Sequence, residues 1–255
     1  MLSKYVPYFE NLFRLLPFFT SRPNCNSMNL FANAILDYSK NMKSKFIFYQ
    51  HCLEKKYNGK KWEIDFGIYF RSFNELNPLE KRLLNLSYGK ILDIGSCTGY
   101  YIPYLMDKGT VTGIEISPII NSIARKKGID NCVIGDFLTY EFDCKFDTIT
   151  LIGNDITLSG TLRGLKKVLK RFAELLNEKG QILLIISHVR ILKFWHVVFV
   201  PKYNDHFGIP FKLVFLNVNF FKKFAFKHGF HASIQGKGNI TGRLSYLIKL
   251  IKITN

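Results

Sequence analysis

Acidic residues and glycines that could hold a ligand are concentrated between Asp93 and Asp136. The run Asp93-Ile94-Gly95-Ser96-Cys97-Thr98-Gly99 follows a short apolar segment and leads into a helical pattern. Glycines at such a turn let a ligand approach the backbone, and the helix beyond offers unpaired N–H groups. Glu115 and Asp136 end the next two apolar runs, where one carboxylate can accept ribose hydroxyls and the other can meet an adenine amino group. The pattern therefore predicts a nucleoside site.

These residues need a scaffold that brings their strand ends together. From Lys90, short apolar runs alternate with helical patterns, which is typical of a doubly wound α/β sheet. The carboxyl ends of parallel strands meet at one edge of such a sheet, and open sheets bind ligands there. The predicted strands are 90–95, 111–116, 131–136, 146–153 and 181–189.

Capping signals place the helices around these strands. The predicted helices run from Asn77-Pro78 to about Leu86, from near Thr98 to Gly109, from Ser117-Pro118 to Gly128, from Leu162 to Asn177 with a stop at Gly180, and over NVNFFKKFAFKHG. HASIQGKGNITGRLSYLIKLIKI then reads as two strands around a glycine-rich turn. Residues 191–216 read as an irregular, aromatic-rich stretch.

The first 62 residues read as a separate cover segment. Apolar residues with helical spacing predict one amphipathic helix over Tyr5–Leu16 and a second over Met28–Met42. Asn58-Gly59 is a candidate hairpin turn. We expect residues 1–62 to form a helical and hairpin lid, residues 63–255 to form the main domain, and residues 190–217 to be an insertion on the substrate side.

Charge separates the flanks from the middle of the chain. The 255 residues carry a formal net charge of +17, but residues 63–200 have 17 basic and 15 acidic groups. Residues 1–62 have 10 basic and 3 acidic groups, and residues 201–255 have 9 and 1. The excess therefore bears on the ligand or partner that the flanks meet, and it favours an anionic small molecule, RNA or an acidic surface over a cationic one.

Cysteine usage and hydropathy restrict the cellular compartment and the membrane association that we expect. Five cysteines without C-x-x-C spacing predict reduced thiols, no disulfide framework and no metal site, in a cytoplasmic protein. The two long apolar stretches, near residues 5–19 and 182–200, are interrupted by charged and polar residues, so we expect no transmembrane segment.

Five motifs resemble those of the class I S-adenosylmethionine-dependent methyltransferases, notably the bacterial small-molecule type. They are ILDIGSCTGYY, VTGIEIS, GDF, FDTITLIGND and LLNEKGQILLIIS. The resemblance, over roughly residues 63–255, implies a Rossmann-like, mostly parallel seven-stranded sheet with an antiparallel last strand, beneath the N-terminal helical cover. It implies S-adenosylmethionine as cofactor, with Asp93 and Gly95 on the methionine part, Glu115 on the ribose and Asp136 with Phe137 on the adenine. The cofactor-binding residues it implies are Asp93, Gly95, Ser96, Gly99, Glu115, Ile116, Asp136, Phe137, Ile152, Gly153 and Asn154.

One residue departs from the family's first motif. Cys97 stands where the family usually has glycine, and we expect it to be accommodated because Gly95 and Gly99 remain. A nicotinamide dehydrogenase would instead want G-x-G-x-x-G, whose second glycine is missing here. Methyl transfer fits the residues better.

The sequence specifies the methyl acceptor and the general base less well than the cofactor-binding residues. A general base depends on the acceptor's pKa, and the candidates are Asp155 and His188 at the ends of the fourth and fifth predicted strands. Each could instead be structural, Asp155 as a cap and His188 as a satisfied strand-end histidine. Asn154-Asp155-Ile156 replaces the Pro-Pro-aromatic segment of amino-group DNA methyltransferases, and no cysteine follows a proline, so DNA base methylation is disfavoured.

We expect an enzyme that methylates an oxygen or nitrogen of a small molecule. The alternatives are an RNA methyltransferase, whose basic and aromatic residues would bind phosphates and stack bases, and a non-catalytic cofactor-binding scaffold subunit.

Overall fold

The computed structural model describes residues 22–43, 45–52, 59–153 and 155–253. Its larger sheet has seven strands in the order β11-β12-β7-β6-β3-β4-β5. They are β3 (Gly89–Ile94), β4 (Gly109–Glu115), β5 (Cys132–Ile134), β6 (Phe146–Leu151), β7 (Leu176–Ser187), β11 (Phe230–Ile240) and β12 (Arg243–Lys252). β3 to β7 pair in parallel, and β12 enters antiparallel between β7 and β11. The doubly wound, mostly parallel sheet with an antiparallel last strand is thus confirmed.

Helices cover both faces of this sheet, as continuous apolar strands require. They are α1 (Cys25–Ser39), α2 (Pro78–Leu86), α3 (Ile102–Met106), α4 (Pro118–Lys126), α5 (Leu162–Leu175) and α6 (Val218–Lys227). Two of the predicted caps are present: the Asn77 side chain accepts the N–H of Leu79, and Ser117 accepts that of Ile120. The cores on the two faces meet at strands whose residues, such as Ile91 and Leu92, are fully buried.

A second, antiparallel sheet lies over the carboxyl ends of the large sheet's strands, and it corrects the prediction of an irregular stretch at 191–216. It comprises β1 (Phe46–His51), β2 (Lys61–Glu63), β8 (Phe194–Tyr203), β9 (His206–Phe207) and β10 (Phe211–Leu216). The order is β10-β8-β1-β2, with β9 paired to β8. Segments about 150 residues apart therefore form one sheet, and Phe46 faces Tyr203 in the register.

Other predicted boundaries also need correction. The helix expected from Thr98 to Gly109 is only α3, because turns occupy residues 97–101. The helix expected to reach Asn177 ends at Leu175, and β7 begins at Leu176 without a break. The first predicted helix, Tyr5–Leu16, and the Asn58 half of the predicted turn lie outside the described residues, although β1 and β2 on either side of that turn do pair antiparallel.

α1 corresponds to the second helix predicted from the sequence, Met28–Met42, although it begins at Cys25 and ends at Ser39. Asn24 caps α1 with a reciprocal bond to Ser27, and Phe31 and Ile35 are buried against the second sheet and α4. Within the described ranges, none of the helices is long and apolar enough to cross a membrane.

Candidate functional site

A cavity of about 620 Å³ separates the two sheets at the carboxyl ends of the parallel strands. Its floor is formed by the ends of β3, β4, β6 and β7, and its roof by aromatic residues of the second sheet. The lining includes Asp93, Glu115 and Asp155 on the floor and Trp62, Phe211 and Phe215 in the roof. A space of this size, apolar above and polar below, suits a small ligand.

The turn after β3 has left-handed backbone at three positions. Gly95 and Gly99 have φ of +73°, and Cys97 has φ of 52°. A side chain at Gly95 would approach the Asp155 carboxylate, 3.3 Å from its Oδ2, so glycine keeps the backbone open to the cavity there. Cys97 adopts a conformation that glycine occupies without cost, which accounts for the family's preference at this position.

Glu115 is held by the backbone of two loops. Its Oε1 accepts the N–H of Ser117 at 2.9 Å, and its Oε2 accepts that of Cys97 at 3.2 Å. The side chain is 7% exposed, and burial raises its pKa despite these bonds. Each carboxylate oxygen has two acceptor positions, so both can still take a hydroxyl hydrogen bond from a ligand in the cavity.

Asp93 and Asp155 place two more buried carboxyl groups beside Glu115. Asp93 Oδ1 accepts the Thr150 hydroxyl at 2.7 Å, whereas its Oδ2 has no hydrogen-bond partner among the described residues. Burial raises the pKa of each aspartate to about 7, and the neighbouring carboxylates add to the shift. Among the described residues, none of these three acidic groups takes part in an ion pair, which makes this end of the cavity suited to a positively charged ligand.

Asp136 and Phe137 border the same cavity after β5, with Ile116 nearby on the β4 side. Asp136 accepts the N–H of Leu138 at 3.0 Å through Oδ1, while Oδ2 pairs with the Arg22 guanidinium. Phe137 packs against the buried Phe172 of α5. Arg22 therefore ties the segment before α1 to the loop that the resemblance assigns to adenine.

The remaining predicted cofactor residues have different surroundings. Ile152 and Gly153 line the cavity after β6, and Asn154 lies outside the described residues. Ser96 is 1% exposed, and it and Gly99 shape the turn rather than the cavity wall: the N–H of Ser96 bonds to Ile114, and that of Gly99 to Ser96.

The two base candidates are not brought together. Asp155 lines the cavity. His188 is absent from the cavity's described lining residues, and its Nδ1 accepts the N–H of Val218, the first residue of α6. Burial lowers the pKa of His188, as do Arg190 and Lys237, so the neutral ring that accepts this bond is favoured.

Several residues of the cavity wall were not predicted from the sequence. Arg71 forms a bidentate ion pair with the buried Glu80, whose Oε1 also accepts the Tyr101 hydroxyl at 2.6 Å. Arg243 lies over the Trp62 ring, with Cζ 4.4 Å from its centroid. These contacts join residues from separate elements of the fold, so no local spacing in the sequence indicates them.

The donor set fits S-adenosylmethionine. The unpartnered Asp93 Oδ2 and the neighbouring carboxyl groups face a space that the cationic methionine part would enter, and Gly95 leaves room for its approach. Glu115 retains acceptor positions for ribose hydroxyls. In the part of the chain that the structure describes, no group of three or more His, Cys, Asp or Glu side chains is arranged to bind a metal ion.

Residues 91–180 match the model of a family described as a methyltransferase domain. The matched stretch contains most of the parallel strands and the three buried carboxyl groups of the cavity floor, those of Asp93, Glu115 and Asp155. A search of curated proteins finds no match.

Solved structures share the fold at low sequence identity. A methyltransferase from Bacteroides fragilis, in complex with S-adenosyl-L-homocysteine, is 22% identical, with TM-score 0.78 over 93% of this chain and all of that one. The sugar N-methyltransferase KedS8 from Streptoalloteichus sp. is 12% identical, with TM-score 0.56 over 77% and 96%. The CcbJ methyltransferase from Streptomyces caelestis is also 12% identical, with TM-score 0.54 over 71% and 95%.

Proposed function

We propose that this chain, a class I S-adenosylmethionine-dependent methyltransferase, transfers the methyl group to an oxygen or nitrogen of a small-molecule acceptor. The observation that carries the proposal is the cavity of about 620 Å³ whose floor is polar and whose roof is aromatic. A long nucleic acid would need an open groove, whereas this space lies between two sheets. The likeness to a sugar N-methyltransferase supports a small acceptor.

The floor residues would hold the methyl donor. Glu115 would accept the ribose hydroxyls, Asp136 and Phe137 would bind the adenine, and Asp93 would face the methionine part. Ile116, Ile152 and Gly153 would complete the wall. The bound cofactor supplies an activated methyl group, so the protein has to align the acceptor with it and exclude water.

Asp155 is the better placed of the two proton acceptors. It lines the cavity, and burial raises its pKa to about 7, so a fraction of the carboxylate is available to take a proton near neutral pH. We assign His188 to a positioning role at the start of α6, because its Nδ1 already accepts a backbone hydrogen bond.

Calorimetric titration with S-adenosylmethionine tests the donor site. We expect Glu115→Gln to weaken binding by about tenfold or more, since a buried carboxylate that accepts hydroxyls contributes about 1.5–3 kcal/mol. Glu63→Gln, which changes an exposed carboxylate on the same cavity's rim, is the matched control. A wild type that does not bind the cofactor would overturn the proposal, and equal binding by Glu115→Gln would refute the ribose contact.

Labelled-methyl transfer tests the acceptor class. Fractionated small molecules, RNA and protein from cell extracts are offered separately to the same enzyme preparation. Label in the small-molecule fraction alone supports the proposal. Label in RNA, with affinity that falls steeply as salt rises, would favour the RNA methyltransferase, and tight cofactor binding without any product would favour the scaffold.

The pH profile tests Asp155. Because a base must be deprotonated to accept a proton, we expect kcat/KM to rise with pH through about 7 in the wild type and to lose this rise in Asp155→Asn. A profile that Asp155→Asn leaves unchanged, and that His188→Gln flattens, would reverse the assignment.

A further inference from the structure

Arg243 is a cation in the cavity wall that forms no ion pair with any residue the structure describes. It is the first residue of β12, directly after the hairpin turn Thr241-Gly242, whose φ angles of 47° and 78° reverse the chain. Ion pairs within the described ranges include Arg22 with Asp136 and Arg71 with Glu80, but none includes Arg243. Of the three arginines that line the cavity in the described part of the chain, two are therefore paired with an acidic residue and Arg243 is not.

Aromatic rings fix the position of this guanidinium. Arg243 Cζ lies 4.4 Å from the centroid of Trp62 and 5.5 Å from that of Phe215. Trp62 is itself fixed, because its Nε1 donates to Gln50 Oε1 at 2.8 Å. A cation–π contact does not require a hydrogen bond from the guanidinium, so its N–H donors remain available to a ligand.

The strand order places Arg243 away from the donor site. Glu115 ends β4, and Asp93 lies on β3, whereas Arg243 begins β12 beyond β6 and β7. Residues from all of these strands line one continuous cavity. The donor end thus collects buried carboxyl groups, and the opposite end presents one partly buried guanidinium beneath an aromatic roof.

We propose that Arg243 binds an oxyanion group, a carboxylate or a phosphate, of the methyl acceptor, and that Trp62 and Phe215 hold the guanidinium for this contact. The planar fork of N–H donors matches such a group in a bidentate geometry. An anion at this end would stand opposite the acidic donor end, so the cavity would orient an acceptor along its length. This inference rests on the proposed function, because it concerns the acceptor of that reaction.

Burial adds to the need for an anion. It lowers the pKa of Arg243, and none of the described acidic residues pairs with the guanidinium to offset its loss of hydration. Glu63, next to Trp62 in the chain, pairs instead with Lys45 at 3.7 Å. A ligand oxyanion would supply the missing countercharge.

The test uses benzoate, phenyl phosphate and the uncharged benzamide as probes. S-Adenosylhomocysteine is first titrated into the protein by calorimetry, and each probe is then titrated into the complex. We expect benzoate or phenyl phosphate to bind at least about tenfold more tightly than benzamide, and Arg243→Met to remove that preference. The stronger of the two anions identifies the oxyanion. Arg163→Met, at an exposed position on α5, is the control that should retain the preference.

The outcomes separate this inference from the proposed function. If S-adenosylhomocysteine does not bind, the proposed function fails, and the probes are then titrated into the cofactor-free protein. If it binds and benzamide equals the anions, or Arg243→Met keeps the preference, the Arg243 proposal is overturned. Arg243→Lys keeps the charge without the planar fork, so intermediate anion affinity at unchanged S-adenosylhomocysteine affinity distinguishes ligand binding from a purely structural contact between the sheets.

Discussion

Cys97 shows how one side chain can be tolerated where glycine is preferred. Its φ of 52° lies in the left-handed region, where a residue with a Cβ is strained by roughly 1–2 kcal/mol. Its N–H nevertheless donates to Glu115, so the turn keeps the bond that positions the acid. The expected accommodation of Cys97 therefore has a physical basis in this bond, and its effect on cofactor affinity stays a prediction.

Replacing Cys97 by glycine or alanine measures this strain. We expect Cys97→Gly to be about 1 kcal/mol more stable than Cys97→Ala, because both lack the thiol and only alanine keeps the strained Cβ. Ordinarily alanine is the more stable of the two, so the sign is diagnostic. Urea unfolding of both variants provides the measurement, and a more stable alanine variant would contradict the left-handed conformation.

The buried carboxyl group of Asp93 lowers the stability of the cofactor-free protein when it is ionised. Burial raises its pKa to about 7, above the value of about 3.9 for an unfolded chain, so the folded state binds this proton more tightly. Stability from this group is therefore lost as pH rises from about 4 to above 7. We expect Asp93→Asn to leave stability unchanged near pH 4 and to raise it by roughly 1–4 kcal/mol at pH 8, while weakening cofactor binding.

Asp147 is the control of opposite sign. Its carboxylate accepts the N–H of Lys90 and the Asn177 side chain, and these bonds lower its pKa. Asp147→Asn should therefore reduce stability at neutral pH and have little effect at low pH. Urea unfolding from about pH 2 to pH 8 covers the titration of both carboxyl groups and compares the two variants. Parallel pH dependences would show that the Asp93 carboxyl is not a buried acid with a raised pKa.

At the scale of elements, the large sheet was predictable and the second sheet was not. Each strand from β3 to β7 is a short apolar run next to a turn or cap, and Ser117 and Asn77 cap their helices as their sequence positions indicate. β8 and β10 carry aromatic residues without a clear period of two, since the strands contact neighbours on both faces. β8 pairs with β1, which lies about 150 residues earlier, and no local sequence pattern indicates that pairing.

The candidate site also combines residues that the sequence predicts with residues that it does not. Asp93, Gly95 and Glu115 follow successive strands, so their meeting follows from the sheet rule alone. Arg22 and Arg243 reach the cavity through long-range contacts with Asp136 and Trp62. His188 is a candidate base in the sequence because it ends a predicted strand. The hydrogen bond that its Nδ1 accepts from Val218 depends on where α6 begins, which the sequence around His188 does not indicate.

The start of α6 depends on one asparagine. Asn217 accepts the N–H groups of Asn219 and Phe220, and its amide donates to the Val189 carbonyl at 2.9 Å. We expect Asn217→Ala to lower the free energy of unfolding by about 1–2 kcal/mol through loss of this cap. Asn219→Ala, at an exposed position two residues later, is the control and should change it by less than about 0.5 kcal/mol. Equal effects would argue against the cap.

At the scale of the whole molecule, the excess positive charge and the carboxyl groups of the cavity lie in different parts of the chain. The net charge of +17 arises mainly from the two flanking segments, and the structure joins parts of both in the second sheet. Of the described residues of the second sheet that line the cavity, most are aromatic and none is basic. We expect the three buried carboxyl groups of the donor end, rather than the surface charge, to determine cofactor affinity.

Cofactor binding should stabilise the whole fold. At a ligand concentration of about 100 Kd, binding to the native state alone contributes about 2.7 kcal/mol, which corresponds to a rise in Tm of about 5–10 °C for a chain of this size. Thermal unfolding with and without S-adenosylmethionine measures the shift. Glu115→Gln, with binding weakened about tenfold or more, should lose about half of the shift or more, and Glu63→Gln should keep it. A shift of equal size in both variants would remove Glu115 from the donor site.

The pairing of β1 with β8 also has a consequence for synthesis on the ribosome. The segment Phe46–His51 emerges early, but the strand that satisfies its backbone edge, Phe194–Tyr203, is made about 150 residues later. Until then this apolar strand has an open edge of the kind that pairs with other chains. The nascent chain therefore passes through an aggregation-prone interval, and slow translation or a shortage of chaperones should reduce the yield of soluble enzyme.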